Sequence, residues 1–172
     1  MAKNIPDKLT LCNIYKKGNR LIGLSDEITL PDVEHGTEAI SGFGLLGEID
    51  SPGKTNIGSM EQEIQFRMLD DDIFSVMEEG DGVDLTIRAG MQRMKGNGGL
   101  EEVGVRVVER GLLKSFTPGS MKQGSPMNAS VKLELVYILI EIDGEEKLEI
   151  DKLNCVYKIN GKDKLEKARK YS

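Results

Sequence analysis

The chain has no tryptophan, one histidine and two cysteines, and aromatic residues fill only 5% of its 172 positions. Each scarcity removes a class of function. One histidine and two separated cysteines do not give the spacing of a zinc site. No Ser–His–Asp or Cys–His set can be assembled for nucleophilic catalysis, so no catalytic residue, cofactor site or metal site is expected. His35 stands alone in a glycine-rich stretch and reads as polar surface rather than as a general base. With hydrophobic residues at 38% and no tryptophan, the core has to be aliphatic, built from Leu, Ile, Val and Met. No apolar run approaches the length of a membrane span. The opening Met-Ala-Lys-Asn-Ile-Pro has no apolar signal segment, so neither a membrane anchor nor secretion is expected. Cys12 and Cys155 fall inside apolar strand-like runs and are expected to be buried free thiols in a reducing compartment.

A basic footprint is also missing. The formal net charge is -6 and the pI near 5.0. Binding nucleic acid through its phosphates needs the opposite sign, although passage of DNA without binding stays open. The charge is uneven: residues 158–172 carry six Lys or Arg against two acids. Such a basic tail can dock on an acidic neighbour or form a solvated terminal helix.

What is present is strand. Residues 131–142 read Val-Lys-Leu-Glu-Leu-Val-Tyr-Ile-Leu-Ile-Glu-Ile, followed by Asp143-Gly144 and a second β-rich run to Ile159. Asp-Gly between two such runs is a strong hairpin signal. A hairpin this long and apolar needs another sheet, or another copy of itself, against it. Upstream, residues 8–15 read as a strand, Gly18-Asn19 as a turn, and residues 20–30 as a second strand stopped by Pro31. Residues 32–58, with six glycines and Pro52, read as a long loop. Residues 60–68 alternate, with Met60, Gln62, Ile64 and Phe66 on one face and Glu61, Glu63, Gln65 and Arg67 on the other. Asp70 opens a short helix expected to run to about Glu79 and stop at Gly80, with Ile73, Phe74, Val76 and Met77 on its apolar side. Residues 83–91 and 103–114 form a further strand pair around Lys95-Gly96-Asn97-Gly98-Gly99. Residues 115–130 are a second polar loop, and Asp163 caps a short terminal helix. The expected fold is one domain over 1–172, mainly β, a barrel or sandwich with one short flanking helix and a short C-terminal helix.

Two motifs fail on inspection. Gly53-Lys54-Thr55 suggests a phosphate loop, but Gly47 lies one residue too far upstream and no helix follows. Asp70-Asp71-Asp72 lacks the remaining calcium-loop positions and fits a helix cap better. The face made by Glu61, Glu63, Gln65 and Arg67 has two readings. It is either the solvated face of an edge strand or the wall of a channel, extended by Glu134, Glu141, Glu149 and Asp151, that repels phosphate and lets a duplex slide.

Gly144, Leu148-Glu149-Ile150-Asp151, Ile159-Asn160-Gly161, Asp163 and Leu165-Glu166 form an ordered set. So do residues 9–15, Ile28-Thr29-Leu30-Pro31, Arg110-Gly111 and Lys122-Gln123-Gly124. Together they resemble the major tail tube proteins of contractile-tailed phages and of headless phage-tail-like bacteriocins, over nearly the whole chain. The resemblance implies a tail-tube-type β-barrel forming hexameric rings that stack into a tube, with no enzymatic role. It implies self-association, a sheath around the tube, a baseplate initiator, a tape-measure protein within, and DNA or ions passing through a polar, acidic lumen. The particle would be a virion or tailocin assembled in a bacterial cytoplasm. On this analogy Glu61, Glu63, Gln65 and Arg67 are candidates for the lumen. Gly36, Gly42, Gly44, Gly47 and Gly53 mark an inter-ring loop. Lys122, Gln123 and Gly124 belong to subunit or ring contacts, and Asp70, Asp71, Lys167, Arg169 and Lys170 face the sheath. A type VI secretion-like tube protein and a monomeric β-barrel binding domain are the alternatives.

Overall fold

Alternation decides which way the strands of this protein face. The computed structural model describes residues 4–78, 80 and 82–172. In order it holds β1 (Ile5–Lys16), β2 (Asn19–Arg20), β3 (His35–Ile40), β4 (Ile49–Ile57), β5 (Glu61–Phe66) and α1 (Asp71–Met77). There follow β6 (Val83–Met94), β7 (Leu100–Thr117), β8 (Ala129–Ile142), β9 (Glu145–Asp151), β10 (Val156–Ile159), β11 (Lys162–Asp163) and α2 (Glu166–Lys170). The mainly β class with two short helices is the one the sequence predicted.

The main sheet is antiparallel, in the order β11-β10-β9-β8-β7-β6-β1-β2. The second edge of β8 is shared: residues 129–134 pair with β5 and residues 137–142 with β9. Beyond β2 the chain reaches β5 through the Leu24–Phe66 bridge, with Ser25 N donating to Gln65 O at 2.9 Å and Arg67 N to Gly23 O at 2.9 Å. These bonds close β5, β8, β7, β6, β1 and residues 19–25 into a small barrel, and closure leaves fewer open edges. Met60, Ile64 and Phe66 from β5 and its approach are buried inside, as are Val131, Leu133 and Leu135 from β8. The core is aliphatic apart from Phe66, as the composition requires.

A β-bulge explains why β8 looks apolar on both faces. Arg110 pairs with Tyr137 and Gly111 with Leu135, so Val136 is an extra residue. The inward set therefore switches from Leu133 and Leu135 to Ile138 and Ile140. Gly111 permits the close approach there, since a Cβ at this position would lie 2.4 Å from Glu134 O. α1 is buried through Ile73 and Val76, while Phe74 stays half exposed near Phe116, with ring centroids 6.1 Å apart.

Several expectations are corrected. Residues 20–30 do not form a strand: only Asn19–Arg20 pair with β1, and the chain then turns away to bond β5. Residues 32–58 are no featureless loop, for β3 and β4 pair as a separate two-stranded hairpin. The run to Ile159 is two strands, because residues 152–155 turn and Cys155 adopts a φ of 52°. Both cysteines are exposed: Cys12 lies in β1 and Cys155 in that turn. α1 ends at Met77 with Glu78 as its C-cap, the expected end at Glu79 lies outside the described residues, and Gly80 falls beyond the helix. The N-cap position of α2 is Leu165, without a side-chain cap bond; Asp163 acts just before it, accepting from Leu165 N at 2.9 Å.

Candidate assembly surfaces

The strand β5 places Glu61, Glu63 and Gln65 on the outside, because Gln62, Ile64 and Phe66 point inward. Arg67 continues this row just beyond the strand and is also exposed. Across the ladder Glu61 pairs with Glu134 and Glu63 with Lys132. The acids do not stand alone. A second bulge, between Leu113 and Ser115, re-aims Lys114 so that its ammonium bonds Glu61 and lies 3.5 Å from Glu134. Lys132 lies 3.9 Å from Glu63 and Lys152 lies 3.6 Å from Glu134. The Ser59 hydroxyl donates to Glu134 at 2.6 Å and is the main cause holding that carboxyl below its ordinary range, helped by Met60 N and the two lysines. This is a wall of alternating signs.

The same face continues across β6 to β10. Arg106 bonds Glu141 at 3.0 Å, Arg110 bonds Asp84 at 3.2 Å, and Lys158 bonds Glu149 at 2.6 Å. Arg110 also lies over the Tyr137 ring at 4.8 Å and Arg88 over Tyr15 at 5.7 Å, both within cation–π range. Asp151 accepts from Leu153 N and Asn154 N. Arg88 and Arg106 were not singled out in the sequence, and Arg110 entered only beside Gly111 in the resemblance. Their signal was period-two spacing on strands whose opposite residues include the apolar Ile87, Val105 and Val107, with Glu109 the exception.

The β3–β4 hairpin projects as an arm. Its base is held where Gly58 N donates to Glu34 O at 2.9 Å and where His35 meets Tyr157, ring centroids 5.5 Å apart. His35 Nδ1 lies 3.2 Å from Gly53 O, so this histidine is half-buried structure in a strand, not loop surface. Gly53-Lys54-Thr55 lies within β4 and not in the expected long loop. Of the candidate glycines, Gly36 and Gly53 sit in the strands near the base, and Gly42, Gly44 and Gly47 form the tip. Positive φ values of 91° at Gly44 and 103° at Gly47 bend the tip in a way that other residues resist. That bend turns Phe43 and Leu46 outward, fully exposed, with Ile40, Leu45 and Ile49 partly so. The sequence reading dwelt on the glycines and missed these apolar residues; Phe-Gly-Leu-Leu-Gly between acids was the available signal.

Lys122, Gln123 and Gly124 are exposed in a turn closed by Ser125 N donating to Lys122 O at 3.1 Å. The loop that carries them is tied to the barrel through Met127 N on Arg67 O at 2.8 Å. Asp70 is the N-cap of α1, accepting from Ile73 N at 3.3 Å, and Asp71 is exposed beside it. On α2, Lys167 and Lys170 point outward, whereas Arg169 bonds Asp163 and donates to Cys155 O at 2.7 Å. The two groups sit on separate helices with separate partners. Among the described residues, no group of three or more His, Cys, Asp or Glu is placed to hold a metal ion.

One buried group escaped notice altogether. Glu109 is fully buried, with Leu85 and Ile138 as its ladder neighbours, and among the described residues neither carboxyl oxygen has a hydrogen-bond partner. Burial raises its pKa to about 7. Lys16 lies in the same row beyond Leu85, with its ammonium on Ser75 O of α1.

The fold is a closed barrel with a mixed-charge outer face and an exposed apolar arm. The model of the phage tail tube protein FII family matches residues 6–171, and the chain belongs to that family. It is 30% identical over 168 residues to the tail tube protein of Escherichia phage P2, covering 96% of each chain. It is 29% identical over 158 residues to the major tail tube protein of Serratia phage KSP20, covering 92% of this chain and 90% of that protein.

Proposed function

We propose that this chain is the subunit of the inner tube of a contractile phage tail or tailocin, acting as one tail-tube domain over 1–172. Hexameric rings stack through the arm into a tube of constant bore. The observation that carries this reading is the exposed apolar tip of the arm on a chain that matches the tail tube family almost end to end. Fully exposed Phe43 and Leu46 side chains are unfavourable on a free monomer and favour burial against another copy.

The sheet face with Glu61, Glu63, Gln65 and Arg67 lines the lumen in this reading. Its acids are interleaved with Lys114, Lys132 and Lys152, so it neither binds phosphate strongly nor repels it strongly. DNA or ions then pass without specific binding. Lys122, Gln123 and Gly124 meet a neighbouring subunit, and Asp70, Asp71, Lys167, Arg169 and Lys170 face the sheath. Assembly takes place in the host bacterial cytoplasm, begins on a baseplate initiator and encloses a tape-measure protein. The subunit performs no chemistry.

Negative-stain electron microscopy of the purified protein at low and high concentration tests the proposal. Rings with an open centre, or stacked tubes of constant width, are expected. Featureless monomers at every concentration, with a baseplate initiator present, contradict it.

A further inference from the structure

Two segments stand out from the barrel, and each carries what the other lacks. The first is the loop of residues 118–128. Ser120 N donates to Met127 O at 2.9 Å, Ser125 N to Lys122 O at 3.1 Å and Met127 N to Arg67 O at 2.8 Å, so the loop is braced on itself and on the barrel. Gly119 makes the fold of this loop possible, since its φ is 82° and a Cβ there would lie 2.0 Å from Met127 O. The frame holds Met121 in solvent at 86% exposure, with Lys122 exposed beside it as the loop's one charged residue. The second segment is the arm. Its tip offers Phe43 and Leu46, fully exposed and packed on nothing of their own chain. Residues 35–51 carry Glu38, Glu48 and Asp50, all exposed, and no lysine or arginine. Among the described residues, neither Lys122 nor these three acids enters an ion pair. The loop is thus apolar and basic, the arm apolar and acidic, and both charges are open to a partner.

Resting on the tube reading above, we propose that the arm tip of one copy, through Phe43 and Leu46, docks on the Met121–Lys122 loop of a second copy in the adjacent ring. Tip and loop occupy different parts of one chain, so the contact is heterologous. Each copy that offers its tip still presents an open loop, and the contact propagates instead of closing on a pair. Apolar burial supplies the attraction, and the flexible thioether of Met121 adapts to the Phe43 ring. The acids of the arm beside Lys122 set the orientation. Bracing of the loop before contact lowers the entropy lost on docking. One such contact is small, but a ring repeats it once per subunit, and linked contacts add in avidity.

The test is a cysteine pair across the contact. Leu46→Cys and Met121→Cys are combined in one chain with Cys12→Ser and Cys155→Ser, then assembled and oxidised with copper phenanthroline. A disulfide requires Cβ atoms about 3.5–4.5 Å apart, so it reports contact rather than proximity. The proposal predicts a ladder of covalent multimers on a non-reducing gel. A mixture of the two single-cysteine chains should give dimers only, and neither of them alone should cross-link. Tubes with no ladder, or a bond closed within one chain, overturn the docking and leave the tube reading intact. A cryo-electron microscopy map of tubes from the unmodified protein provides a second measurement if the substituted chain fails to assemble. Phe43 should then lie against Met121 of the neighbouring copy, and Phe43 seated elsewhere overturns the docking alone. Absence of rings and tubes from the unmodified protein, with a baseplate initiator present, overturns both.

Discussion

The barrel and the arm use the same strand-forming residues to opposite ends. In β5 every second residue from Gln62 to Phe66 is buried, and β8 answers with Val131, Leu133 and Leu135. In the arm Ile40, Phe43, Leu46 and Ile49 are exposed, although β3 and β4 pair in register from Thr37↔Pro52 to Ile40↔Ile49. Hydrogen bonds alone thus make a strand pair; a second apolar surface makes it part of a core. The barrel has that surface within one chain. The arm lacks it, and its side chains become a statement about assembly instead of folding.

The comparison predicts a separation of effects, largest first. Leu133→Ala should destabilise the subunit by about 3–5 kcal/mol, through lost burial and the cavity left behind. Phe43→Ala removes a larger side chain yet should leave monomer stability within about 0.5 kcal/mol, as for other surface changes. Thermal unfolding of the two dispersed variants checks the pair. Equal losses would mean that the tip packs on its own barrel.

Glu109 gives a second way to probe the barrel. Its folded pKa of about 7 lies above the ordinary carboxyl value of 4.5. The folded state therefore holds a proton that the unfolded state has lost over this range, and stability falls as pH rises from 4.5 through 7. The loss is on the order of 3 kcal/mol, at about 1.36 kcal/mol per unit of pKa. Glu109→Met should abolish this fall and raise stability at pH 8, read from urea unfolding of both proteins between pH 4.5 and 8. A parallel slope in the two would exclude the buried carboxyl as its source. Gly111→Ala should cost about 2 kcal/mol, within the range for overpacking, because the new Cβ meets the Glu134 carbonyl at 2.4 Å. Chemical unfolding measures it, and a neutral result would show that the bulge yields.

The smallest effect belongs to the outer face. Glu63→Gln removes one member of a surface pair 3.9 Å from Lys132 and should change stability by less than about 1 kcal/mol. A larger change in unfolding midpoint would mean that the charge lattice holds the barrel together.

The barrel was far more legible than the arm, for a physical reason. Alternation at residues 60–66, the Asp143-Gly144 turn with φ values of 57° and 76°, and the Asp70 cap are local signals, and each sits where the sequence placed it. The arm was misread because glycine and proline break the period that marks a strand, while Thr37 still pairs with Pro52 and Ile40 with Ile49. The false strand at residues 20–30 is the reverse case, apolar enough to suggest pairing but drawn off to close the barrel at Leu24. The pairing of Lys114 with Glu61 depended on a bulge, and Glu109 on the register of three strands, so neither could be read locally. The resemblance to tail tube proteins was legible throughout and agrees with the family match.

The most direct test of the division between body and arm replaces residues 41–48 with an Asn-Gly turn, joining Ile40 to Ile49, which already face each other. The account predicts a subunit with unchanged unfolding temperature that no longer stacks into tubes under the electron microscope, where the unshortened chain does. Normal tubes from the shortened chain would contradict it.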